Sequence, residues 1–197
     1  MDILLPMLLG AGFVIAAIAV HSRLWSFIAQ RPSDYEKSGP AFDLRTHLNG
    51  PIECEGAIYG PTGRVSSRFV GHFNARWDGN IGVMAERFLY DDGSTQDREW
   101  TLRLGNDGGI VATAPDVVGE GRGHQAGSAV RLQYRIRLPE DAGAHVLDTV
   151  DWMYLAPNGT IVNRSQFRKF GIKVAELVAT MRPASDASRN RDEQTAA

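Results

Sequence analysis

Glu86 and Arg98 flank the turn-forming run Asp91-Asp92-Gly93 and could meet across a hairpin. The length of the turn decides which side chains face each other. A two-residue Asp92-Gly93 loop would set Glu86 against Glu99 and Arg87 against Arg98, two repulsive pairs. A three-residue loop with Gly93 in the left-handed conformation sets Glu86 opposite Arg98, Arg87 opposite Asp97 and Met84 opposite Trp100. Charge and glycine placement both favour the second register. It gathers Met84, Phe88, Trp100 and Leu102 on one apolar side, with Glu86 and Arg98 in its midst. A charged pair in such surroundings is costly unless its hydrogen bonds are satisfied. It is therefore expected either to fix the register or to hold the polar end of a ligand in a pocket lined by Phe88, Trp100 and Tyr134. A general-acid role for Glu86 is a further reading, although no second partner stands at a spacing that demands it.

Asp151-Trp152-Met153-Tyr154 is the densest acidic and aromatic cluster. A tight turn at Asn158-Gly159 would place Tyr154 across from Asn163, Met153 across from Arg164, and Asp151 diagonal to Arg164. Periodicity leaves open which face of this stretch points inward. A core and register role is the primary expectation, with Asp151, Trp152 and Asn163 as candidate ligand contacts. Gly119-Glu120-Gly121-Arg122-Gly123-His124 is glycine-rich, but a strand rather than a helix follows it, so a mobile loop is expected there and not a phosphate site. The five histidines show no metal-ligand spacing, and no metal or cofactor is expected. The single Cys54 excludes an intramolecular disulfide framework and a CxxC redox centre.

These residues need a scaffold, and turn chemistry recurs at short intervals through the body of the chain. Pro61-Thr62-Gly63, Asp78-Gly79-Asn80, Asp91-Asp92-Gly93, Asn106-Asp107-Gly108-Gly109 and Pro157-Asn158-Gly159 read as hairpin loops. Between them Phe69, Gly71, Phe73, Ala75 and Trp77 alternate with Arg68, His72, Asn74 and Arg76, as Val130 to Leu138 alternate with arginines and Gln133. Such strands have one apolar and one wet face. Phe170, Val174, Leu177, Val178 and Met181 recur at three-to-four spacing, which predicts a C-terminal helix over about 167–181 ended by Pro183. The expected fold is all-β: a lipocalin-like antiparallel up-and-down barrel of about eight strands with a C-terminal helix, over residues 41–182. A β-sandwich is the alternative.

The chain has 197 residues, net charge −2 and a pI near 6.2, which gives no surplus of positive charge for nucleic acid. From Ile3 to Val20 every residue is uncharged and most are apolar, enough for a membrane-spanning helix. A retained single-pass anchor over 1–22 is favoured over a cleaved signal because the only charged side chain before the run is Asp2. Arg23, Arg31 and Lys37 follow it, which by the positive-inside bias suggests a cytoplasmic body on three charges alone, so the side of the membrane stays open. Residues 23–40 read as a polar linker and 183–197 as a disordered tail.

Several short blocks resemble a bacterial family, the domain of unknown function 3833. They are Glu86-Arg87-Phe88-Leu89-Tyr90-Asp91-Asp92-Gly93, Arg98-Glu99-Trp100, Ala114-Pro115-Asp116-Val117-Val118-Gly119, Asp151-Trp152-Met153-Tyr154, Asn163-Arg164 and Lys169-Phe170-Gly171, spread over roughly 42–182. The resemblance implies a lipocalin-like fold attached to the bacterial envelope, in many members through a lipidated cysteine. No such cysteine follows the apolar run here, so membrane attachment rests on the N-terminal helix. The expected function is a membrane-tethered barrel that binds a lipid or other apolar small molecule. The alternatives are an enzyme acting on membrane fatty acyl lipids, with Glu86 or Asp151 moving a proton, and an envelope assembly factor with a filled barrel.

Overall fold

The structure is a computed structural model that describes residues 3–140 and 142–185. An apolar helix α1 (Leu4–Leu24) precedes two 3-10 turns (Phe27–Ala29 and Pro32–Tyr35) and a single-turn helix α2 (Leu44–His47). Ten strands follow: β1 (Gly50–Tyr59), β2 (Val65–Asp78), β3 (Ile81–Tyr90), β4 (Thr95–Leu104), β5 (Gly109–Thr113), β6 (Gly121–Ala126), β7 (Ala129–Arg137), β8 (Val146–Leu155), β9 (Ile161–Lys169) and β10 (Ile172–Pro183). Each pairs antiparallel with the next, and β10 returns to β1 to close the barrel. Alternate side chains fill the interior, from Ile52 and Cys54 on β1 to Ala179 and Met181 on β10.

Two expectations are corrected. The barrel has ten strands, not about eight, and the residues expected as a C-terminal helix form the end of β9, a turn and β10. The helix-like spacing arises from a turn and a bulge: Phe170-Gly171 joins β9 to β10, and the register shifts between Lys173 and Ala175. The bulge puts Val174 and Leu177 on the core side three residues apart, after which Leu177, Ala179 and Met181 follow the strand period of two. The glycine-rich stretch expected as a loop supplies strand β6. Its Gly123 lets the neighbouring strand approach, since a Cβ there would lie 2.2 Å from the Arg131 carbonyl oxygen.

The α1 helix is long and apolar enough to cross a membrane, with a mean hydropathy of 2.2 over Leu4–His21 and no part of that stretch buried. The segment read as a polar linker is docked on the outer wall. Tyr35 packs against Trp152 and Tyr154, at ring-centre distances of 5.4 and 5.5 Å, and Phe27 joins the same cluster. Gln30 accepts hydrogen bonds from both the Tyr35 and Tyr154 hydroxyls. The chain then passes the β6–β7 turn, where Phe42 N–H donates to the Gly127 carbonyl oxygen at 2.7 Å. Phe42, Leu44 and Leu48 plug that end of the barrel, and the Trp77 indole N–H donates to the Leu48 carbonyl. Most of the tail expected to be disordered, 186–197, lies outside the described residues.

Gly127 lies so close to the docked segment that a Cβ on it would stand 1.8 Å from the Tyr35 carbonyl oxygen. Gly127→Ala is therefore expected to free residues 25–40 for protease cleavage while the barrel keeps its fold. Limited proteolysis with mass spectrometry checks this, and a segment as resistant as wild type would contradict the docking contact.

Candidate functional site

The β3–β4 hairpin has the three-residue register. Glu86 pairs opposite Arg98, Arg87 opposite Asp97 and Met84 opposite Trp100, with Gly93 at φ +85°. Arg87 and Asp97 form their ion pair on the outer face at 2.7 Å. Glu86 and Arg98 point inward, yet the close contact of Arg98 goes to Asp116, at 3.1 Å between Nε and Oδ1. That approach is an ion pair without hydrogen-bond alignment: Arg98 Nε, Arg98 Nη2 and Asp116 Oδ1 are all buried without a hydrogen-bond partner. The pair anticipated from register is thus a wider cluster, in which the arginine keeps donors unused. Its guanidinium lies 4.1 Å from the Trp100 ring centre and 5.8 Å from that of Tyr134.

The β8–β9 turn differs from the tight one expected. Pro157-Asn158-Gly159 is a three-residue loop with Gly159 at φ +83°, the device used at Asp91-Asp92-Gly93. The register moves by one, so Met153 faces Asn163, Asp151 faces Ser165 and Trp152 faces Arg164. Asp151 and Met153 point into the barrel, and Trp152 and Tyr154 point out beneath the docked segment. Ser165 Oγ donates to Asp151 Oδ1 at 2.7 Å, and Asn163 Nδ2 donates to the same oxygen and to the Trp152 carbonyl.

Seven of the eight sequence-derived candidates therefore line one internal cavity: Glu86, Phe88, Arg98, Trp100, Tyr134, Asp151 and Asn163. Trp152 does not; it is fully buried on the outer wall. Sequence reasoning missed Ser165, Cys54, Phe69, Phe73 and Phe167 as lining residues. The β2 alternation carried the signal for Phe69 and Phe73, and a three-residue loop at Pro157-Asn158-Gly159 would have revealed Ser165. The cavity runs from Leu48 in the plug to Phe88 and Phe167 near the opposite turns, with a volume of about 120 Å³. Phe69, Phe73 and Phe88 meet edge to face at its far end.

Around this space one guanidinium meets three carboxyls, a formal charge of 1 − 3 = −2 if all are ionised. Desolvation opposes that. Burial pushes the Glu86 carboxyl up to about 7; Arg98 opposes the rise, and Asp151 and Asp116 add to it. Burial likewise raises Asp151, against the hydrogen bonds from Ser165 and Asn163. It also holds the Tyr134 hydroxyl and the Cys54 thiol in their neutral forms, the latter pushed up to about 12. Near neutral pH the Glu86 carboxyl is therefore partly protonated and offers a donor beside the unused donors of Arg98.

A family model described as Protein of unknown function (DUF3833) matches residues 21–183. The chain belongs to this family. Among solved structures, this DUF3833 chain is similar to the crystal structure of Rv2717c from M. tuberculosis at 18% identity and a TM-score of 0.51, covering 76% of this chain and 100% of that one. A likeness at that identity shows the shared barrel fold. No curated protein matches the sequence.

Glu86 gives the DUF3833 barrel a pH-dependent stability. Between the ordinary carboxyl value of 4.5 and about 7, the folded chain holds a proton that the unfolded chain has released. Stability therefore falls as pH rises through that window, by about 3 kcal/mol for a group shifted this far, and levels off above it. Glu86→Gln should lose measurably less across the same window. Denaturant titrations at both ends check this, and equal slopes in the two proteins would contradict it.

Proposed function

We propose that the chain is a membrane-tethered, lipocalin-like binding protein whose barrel takes a small apolar molecule, or the end of an acyl chain, with its polar end on Arg98. The observation that carries this reading is that Arg98 Nε and Nη2, in an aromatic cavity, have no hydrogen-bond partner, Nε having only its unaligned contact with Asp116. A buried guanidinium with idle N–H groups is costly, and a carboxylate or carbonyl oxygen would satisfy it. Trp100 and Tyr134 flank the guanidinium, and Phe88 offers the apolar wall beyond it. The α1 helix supports a single-pass tether in a bacterial membrane, which would place the barrel beside a source of apolar ligands.

The cavity volume narrows the ligand. At about 120 Å³ it is smaller than the roughly 150 Å³ cavity that accommodates benzene. It suits a short apolar group; a long chain would have to lie partly outside or spread the barrel. The same volume favours one second reading, an assembly factor whose interior is mostly filled by its own side chains.

The proposal makes binding of a carboxylate pH-dependent. A ligand anion adds to the excess of negative charge, so it binds best while Glu86 is protonated, and affinity should fall as pH rises past about 7. The deciding experiment is mass spectrometry of small molecules extracted from the full chain purified from its own host, beside the Arg98→Ala variant. One class of acceptor-headed molecule should be enriched on wild type and reduced about tenfold or more on the variant, as expected for a lost charged hydrogen bond. Equal content in both proteins would remove Arg98 from the site. An empty wild-type barrel would turn the reading toward the filled interior.

A further inference from the structure

Among the described residues beyond Trp25, the two most exposed large apolar side chains are Phe170, at 91%, and Ile172, at 69%. They stand together at the β9–β10 turn. Phe170 and Gly171 are its two central residues, with φ of +52° and +78°. A turn of this kind asks for positive φ at both positions, where asparagine or glycine sits most easily. Phenylalanine there is conformationally unfavourable and buries nothing in return, so the fold alone does not account for it.

Cations surround this apolar tip. Arg168, Lys169 and Lys173 flank it on the hairpin itself, and Arg64 and the exposed Val65 lie on the β1–β2 turn, next to it in the barrel. Of these, Lys173 is held by Glu176, which also takes Arg164; Arg168 lies opposite Asp148 and donates to the Gly171 carbonyl and Gln166, and Lys169 contacts His145 Nδ1. Glu140 belongs to the neighbouring β7–β8 turn. An exposed aromatic and a β-branched residue ringed by lysine and arginine match the chemistry of an acidic bilayer surface, with apolar groups among the acyl chains and cations at the phosphates.

The position of the tether points to the same occupant. Phe27 packs on Arg164 of β9, 4.8 Å from its guanidinium, and only Trp25 and Ser26 separate it from α1. From Arg164 to Phe170 is six residues along one strand, about 20 Å. The same wall thus carries both the end of the apolar helix and the exposed tip.

We propose that the Phe170–Ile172 tip inserts into the headgroup region of an acidic bilayer, with Lys169 and Arg64 against lipid phosphates. This rests on the reading of α1 as a retained membrane anchor. The barrel then stands with its β9–β10 turn at the surface of the membrane to which it is tethered.

The test uses the full chain in phosphatidylcholine vesicles with or without phosphatidylglycerol. An environment-sensitive fluorophore is attached at Ile172→Cys, or at Asn158→Cys on the exposed turn at the opposite end; buried Cys54, with its thiol pushed up to about 12, takes no label. A quencher on the lipid acyl chains should quench the label at 172 several-fold more than that at 158. The difference should require phosphatidylglycerol, weaken in high salt and vanish when Phe170→Asp is added to a protein that still melts normally. A label at 172 quenched no more than that at 158 in phosphatidylglycerol vesicles overturns the proposal. Retention after a carbonate wash reports the anchor separately: a chain stripped by the wash overturns the tether, while the quenching measured beforehand still decides the tip.

Discussion

Every feature of the site depends on one closure, the pairing of β10 back onto β1. Eight consecutive residue pairs, from Ile52 with Pro183 to Tyr59 with Glu176, turn a ten-strand meander into a barrel with no free edge. An open sheet of these strands would expose Phe69, Phe73, Trp100 and Tyr134 on one bare face. Closed, the same residues bury the polar groups among them, and that burial gives those groups their unusual character. Glu86 and Asp151 resist ionisation because of where β3 and β8 place them, not because of any feature of their own sequence neighbourhood.

The interior reconciles two opposing demands. Packing argues for filling a ten-strand barrel with large side chains, and Phe69, Phe73, Phe88 and Trp100 do much of that. Against this stands a set of polar groups that a purely structural core has no use for: a guanidinium stacked on an indole, two carboxyls whose ionisation burial opposes, and an asparagine and a serine converging on one of them. The Asp151 group is satisfied internally. Arg98 is not, and this imbalance separates a scaffold element from a candidate binding group.

Much of this was legible in the sequence where local chemistry decided it. Charge complementarity and the left-handed requirement at Gly93 fixed the β3–β4 register, and alternation on β2 and β7 identified the inner face. What escaped depended on distant or irregular features. The bulge between Lys173 and Ala175 shifted the phase of β10 and imitated a helical period. One extra loop residue at Pro157 changed the partners across β8 and β9, and the mixed periodicity of β8 left hidden that Asp151 faces inside and Trp152 outside. The docking of 27–35 was illegible for another reason. Its contacts reach more than a hundred residues along the chain, from Gln30 to Tyr154, and nothing in a polar, proline-containing stretch announces a partner at that distance.

The brevity of the link between α1 and the barrel governs how the two can move. Two residues, Trp25 and Ser26, span at most about 7 Å, and the next residue is already fastened against Trp152 and Arg164. Such a joint limits distance and leaves angle free: its backbone dihedrals can turn the cylinder, yet the stave to which Phe27 is fastened stays within one short span of the helix end, as on a short leash.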